Sequence, residues 1–148
     1  MAVTLLKQDG RLNYDDPVER FLPGLPYVGI SIRQLLNHTS GVPDYKPIMD
    51  EHWDRSKVAT NQDILDYLKR HAPVARFSPG AKYEYSNTGY VLLASIVEKA
   101  SGQDFAEFSR RRISVLSGAV SRLRLATSGI ESSLPAVARS AKVGRRLM

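Results

Sequence analysis

The chain has 148 residues, 43% of them apolar, enough for one globular domain with a buried core. It contains no cysteine, which excludes disulfides, thiolate catalysis and Cys-ligated zinc, and no apolar run of the ~18 residues that a membrane-spanning helix needs. Its net charge of +6 does not mark a nucleic-acid-binding fold, because residues 109–148 hold nine Lys and Arg against one acid, while residues 1–108 hold twelve against fourteen.

The first segment, Met1 to Lys7, carries apolar residues at Val3, Leu5 and Leu6 at helix-compatible positions, and Gly10 is a stop signal. Its apolar stretch is too short for a signal-peptide core and no basic residues precede it, so no export signal is expected within these residues. In Asp15-Asp16-Pro17 either acid can cap a short helix and Pro17 suits its first position; that helix should bury Val18, Phe21 and Leu22. Residues 30–37 form the next expected helix, with Ser31 and Gln34 at capping-box spacing and Ile32, Leu35 and Leu36 on the buried face. The turn from His38 to Pro43 closes it with glycine and proline. Residues 44–56 look polar and irregular, anchored by Trp53.

A second capping box, Thr60 and Asp63, opens an amphipathic helix with Ile64, Leu65, Tyr67 and Leu68 that stops before Pro73. Phe77-Ser78-Pro79-Gly80 is a turn, and Lys82 to Ser86 a short extended segment. A long helix then starts at Asn87, with Tyr90, Leu93, Ile96, Val97 and Ala100 on its buried face and Gly102 at its end. A last helix near Asp104 should bury Phe105 and Phe108. Beyond Phe108 the composition changes: eight serines, eight arginines and no aromatic residue in 40 positions, with no sustained period, which reads as disordered.

Two blocks carry a resemblance: residues 30–43, Ile-Ser-Ile-Arg-Gln-Leu-Leu-Asn-His-Thr-Ser-Gly-Val-Pro, and Phe77 to Gly80 followed by Tyr85-Ser86-Asn87-Thr88-Gly89-Tyr90 and Ile96-Val97-Glu98. In order and separation they resemble the β-lactamase-related serine hydrolases, which include class C β-lactamases, penicillin-binding-protein-like D-Ala-D-Ala carboxypeptidases and esterases. Leu12 to Val18 fits as well, and the resemblance covers residues 1–113. It implies a mainly α chain, the helical-domain portion of the α/β β-lactamase/transpeptidase-like fold with short extended segments, followed by a separate basic tail over 114–148.

That family builds its site from a Ser-x-x-Lys, a Tyr-x-Asn and a Lys/His-x-Gly. A serine hydroxyl is a poor nucleophile until a base takes its proton, and a phenol of ordinary pKa near ~10 serves as that base only where cations lower it. The resemblance assigns Tyr85 as general base and Asn87 as the amide that contacts the lysine and the substrate; Ser86 is the intervening residue, not the nucleophile. No Ser-x-x-Lys occurs, since Thr4-Leu5-Leu6-Lys7 has the spacing but carries threonine in the wrong place, and the family pattern puts the nucleophile before residue 1. The third element is expected to be absent too. The implied substrate is a small β-lactam, D-Ala peptide or ester processed through an acyl-serine, with no cofactor and no metal, in a family commonly periplasmic or secreted. As it stands the chain is expected to be inactive.

After Ile113 the family continues Phe-x-Pro-Leu-Gly, whereas this chain reads Ser114-Val115-Leu116-Ser117-Gly118, as a single-base deletion could produce. The competing expectation is a non-catalytic interaction module whose basic tail binds acidic partners. His38 invites a metal or acid–base role, but His52 and His71 lack ligand spacing with it; a structural histidine bonding backbone carbonyls at a helix end is the simpler expectation.

Overall fold

In a computed structural model of the chain, the structure describes residues 1–54 and 56–113, and the expectations for the tail lie outside them. Residues Met1–Ser109 form one compact unit; the second unit begins at Arg110. Among the described residues the elements are α1 (Ala2–Gln8), a 3₁₀ turn (Val18–Arg20), α2 (Ile32–Leu36), α3 (Lys46–His52), α4 (Asn61–His71), α5 (Asn87–Ser101) and a helical stretch over residues 105–113, here α6. None is a strand; the one β-type feature is an isolated antiparallel bridge between Pro17 and Ser31.

α5 is the centre of this unit and packs against α1, α2 and α4. It buries Thr88, Gly89, Leu92, Leu93, Ser95, Ile96 and Val97. The facing helices contribute Leu6 from α1, Ile32 and Leu35 from α2, and Leu65 and Leu68 from α4, all nearly inaccessible. Each such Leu or Ile contributes about 1.5–3 kcal/mol relative to an exposed position. Both ends of α5 are satisfied from distant chain. At the C-terminus the Arg11 guanidinium donates to the carbonyls of Ala100 and Ser101 at 3.2 and 3.1 Å, which places a cation at the negative end of the helix dipole.

The two capping boxes form as the sequence dictates. Ser31 Oγ accepts from Gln34 N–H while the Gln34 side chain accepts from Ser31 N–H, and Thr60 and Asp63 do the same for α4. Several expectations are corrected. The helix after Pro17 is a single 3₁₀ turn with Pro17 at its N-cap, and neither acid caps it. Asp15 instead forms a bidentate pair with Arg33, and Asp16 takes the N–H of Asn13 and the guanidinium of Arg20. With so short a turn Phe21 stays half-buried. Residues 46–52 are helical, not irregular: Pro47 lies in the first turn, where a missing N–H costs nothing, and Asp44 Oδ1 accepts from Lys46 N–H. Trp53, at the end of α3, is half-buried and donates its indole N–H to Lys57 O at 3.0 Å. On α5 the buried stripe runs through Leu92, not Tyr90, which is 53% exposed. In α6 Phe108 is buried but Phe105 is not, while Asp104 caps the helix through Ala106 and Glu107 N–H.

Candidate active site

The Tyr-x-Asn element sits where the extended segment 82–86 enters α5. Ser86 is the N-cap, yet its side chain caps nothing. The cap comes from Asp44, 43 residues earlier: one carboxylate oxygen, Oδ2, accepts from the Asn87 backbone N–H at 2.9 Å and from Asn87 Nδ2 at 2.7 Å. A carboxylate at a helix N-terminus meets both the free N–H groups and the positive end of the dipole. Burial pushes the Asp44 carboxyl up, but the N–H groups of Asn87 and Lys46 and the Asn87 amide outweigh it and hold it below the ordinary 3.8. Thr88 adds a third tie to the same loop, its hydroxyl donating to Pro43 O at 2.7 Å.

Tyr85 stands outside this locked core and is 61% exposed. Its hydroxyl donates to Asn87 Oδ1 at 3.0 Å. Asn87 thus accepts from the phenol and donates to Asp44, so its amide cannot rotate without losing a bond on one side. The chain of contacts runs Tyr85 to Asn87 to Asp44. Among the described residues no lysine or arginine bonds either side chain.

The loop between α2 and α5 is fixed as tightly. His38 closes α2 in the left-handed region at φ 56, its N–H on Leu35 O and its C=O accepting from Glu84 N–H. The expected glycine closure is thus made by a histidine. Its Nδ1 accepts from Ser86 N–H at 3.3 Å, so the side chain meets a backbone donor and not carbonyls, and the proton of the neutral ring resides on Nε2. Gly41, at φ 77, lies so close to the Phe77 carbonyl that any Cβ would overlap it. Arg76 N–H donates to Gly41 O and Gly80 N–H to Thr39 O, stitching residues 39–41 to residues 76–80. Glu84 binds Arg76 and Lys82. Ser86 is 4% exposed, and its Oγ is buried without a hydrogen-bond partner.

Tyr85 and Asn87, singled out from the sequence, are therefore together and bonded. Asp44 and the Nδ1 contact of His38 were missed, because an acid 43 residues from its helix has no periodic signature. The neighbouring Gly-Val-Pro turn was the only hint that residue 44 is held in place. Lys142-Val143-Gly144 has the literal Lys-x-Gly spacing, which the expectation of an absent third element overlooked; it lies outside the described residues. None of the described residues form a group of three or more His, Asp or Glu able to hold a metal, and no described helix is long and apolar enough to cross a membrane.

A helical unit that presents Tyr-x-Asn at the start of its central helix is the arrangement implied by the two sequence blocks, and comparison with known proteins bears out that resemblance. The family model described as Beta-lactamase matches residues 1–136, and the chain belongs to that family. It is 49% identical over 118 residues to penicillin-binding protein 4* of Bacillus subtilis, covering 80% of this chain and 26% of that protein. Among solved structures it resembles the D-amino acid amidase of Ochrobactrum anthropi SV3 (38% identity, TM-score 0.66, 79% of this chain and 33% of that one). It also resembles a penicillin-binding protein of Bacillus halodurans (33% identity, TM-score 0.64, 74% and 34%). The chain thus spans about a quarter to a third of the length of these relatives. Its relatives are penicillin-binding-protein-like, and its fold is part of theirs.

Proposed function

We propose that the chain supplies the Tyr-x-Asn part of a serine-hydrolase site that cleaves β-lactams, D-Ala peptides or small esters through an acyl-serine. Residues 1–113 are its helical-domain portion, and residues 114–148 a basic stretch into which the family match runs as far as residue 136. Tyr85 is the general base: once the lysine of a Ser-x-x-Lys stabilises its deprotonated form, the phenolate oxygen takes the serine proton as the serine oxygen bonds the carbonyl carbon, and that proton passes on to the leaving amine or alcohol. Asn87 holds the lysine and the substrate with the amide hydrogen that Asp44 leaves free. The observation that carries the reading is the bonded series Tyr85–Asn87–Asp44, which fixes both motif side chains at the start of a buried helix. The similarity to a D-amino acid amidase favours an amide beside a D-configured residue.

The 148 residues hold no Ser-x-x-Lys, so turnover needs that element from sequence outside them. The test is incubation of the chain with a chromogenic β-lactam, a nitrophenyl ester and a serine-reactive phosphonate. No burst and no adduct are expected. A burst of chromophore, or a phosphonate adduct on Ser86, contradicts the assignment of roles.

A further inference from the structure

His38 is unusual in two ways that have one explanation. A side-chain-bearing residue occupies left-handed backbone at φ 56, a region that glycine enters freely and most other residues avoid. Its imidazole also meets the motif segment through three tyrosine rings and one backbone N–H. The ring lies 4.6 Å from the Tyr85 ring and 5.2 Å from the Tyr90 ring, stacked on the latter at 25°, with Tyr83 edge-on at 5.9 Å. Its Nδ1 accepts from Ser86 N–H, the residue between Tyr85 and Asn87.

We propose that His38 is a positioning residue for the Tyr85–Asn87 pair: the neutral imidazole sets the backbone at Ser86 through Nδ1 and the Tyr85 ring through a tilted ring contact. The chemistry rests on the lone pair. Only the Nε2–H tautomer can accept from Ser86; a proton on Nδ1 sets two donors against each other and releases the Ser86 amide. The cation so formed still faces Tyr85 and Tyr90, and cation–π attraction keeps it in the stack. The outcome is therefore a shift of the 85–87 backbone and not loss of the fold. Few other charges bear on the ring. Its ring neighbours are the phenols of Tyr83, Tyr85 and Tyr90; Glu84 is engaged by Arg76 and Lys82, Asp44 by Asn87 and Lys46 N–H, and Arg33 of α2 by Asp15.

The catalytic meaning of this inference rests on Tyr85 being the base, but its test does not. Proton–nitrogen NMR of the whole chain, with labelled tyrosine, is followed through the imidazole titration for the wild type and for His38→Asn. Asparagine tolerates left-handed backbone and can itself accept a hydrogen bond, so the variant folds. The expected result is that the Ser86 amide and the Tyr85 ring titrate together with His38, and that both responses are lost in the variant. The signals of His52, His71 and Tyr67, which form a separate stack with centroids 4.2–6.1 Å apart, should be the same in both and serve as the control. A Ser86 amide that stays flat while His38 titrates overturns the proposal, as does a titration at Ser86 and Tyr85 that survives in His38→Asn. Either result leaves the serine-hydrolase reading standing, and a failure of that reading would leave the coupling of His38 to Ser86 intact.

Discussion

α4 and α5 begin in opposite ways. α4 is capped by its own sequence: Thr60 and Asp63 exchange hydrogen bonds across one turn, exposed to solvent. α5 has a serine at the same position that caps nothing, and receives its anion from Asp44 instead. A local cap fixes one helix. A remote cap fixes a helix and also the distance between two loops, and here one of the two carries Tyr85 and Asn87. The helix start that uses the remote arrangement is the one at the candidate site.

The largest break of this comparison is expected at Gly41, which lets residues 39–43 lie against Phe77. Gly41→Ala adds a Cβ that overlaps the Phe77 carbonyl in a backbone conformation alanine resists, and should cost about 3 kcal/mol or more by denaturant melt. Asp44→Ala should cost about 2–3 kcal/mol, because it leaves two N–H groups of Asn87 and that of Lys46 without their charged acceptor. Thr60→Ala, the matched change at α4, should cost about 1 kcal/mol. Equal losses at Asp44 and Thr60 would show that the remote cap does no more than the local one. Tyr85→Phe should change stability by less than about 0.5 kcal/mol, since the ring is exposed and only one solvent-facing bond is lost.

Acid sharpens the same contrast. The Asp44 carboxyl lies below its ordinary value when folded, so its contribution is complete above the unfolded value near 3.8 and is lost as pH falls through the lower, folded one. Stability should therefore decline below about pH 4, and the α5 N-terminal amides should lose protection there. In Asp44→Asn that part of the decline disappears. Asp63 is lowered in the same direction by its bonds to Thr60, but it sits on a solvent-facing turn where water screens it, so its share is small.

What could be read from the sequence follows the range of the interactions. Both capping boxes and the end of α5 at Gly102 rest on residues within a turn of one another and are where the spacing put them; the start of α5 at Asn87 was also placed by spacing, although its cap comes from Asp44. Tyr85 and Asn87 were legible because an intact sequence block carries them, with a second block before it in the right order. Asp44 was not, since its partner is fixed only by the fold. Tyr90 was placed inside because it continues a 3–4 spacing, but its ring turns outward to stack on His38. α3 was hidden by a polar composition, although Pro47 at its first turn was a signal in plain view.

The central claim is that Tyr85, held through Asn87 and Asp44, is half of a serine-hydrolase site whose nucleophile comes from elsewhere in sequence. The direct test grafts this chain in place of the aligned 118-residue stretch of penicillin-binding protein 4* and follows acylation by a fluorescent penicillin. The chimera should be labelled, and Tyr85→Phe should slow labelling by roughly 10²–10⁴-fold with the fold unchanged. A folded chimera acylated equally fast without the Tyr85 hydroxyl would contradict the account.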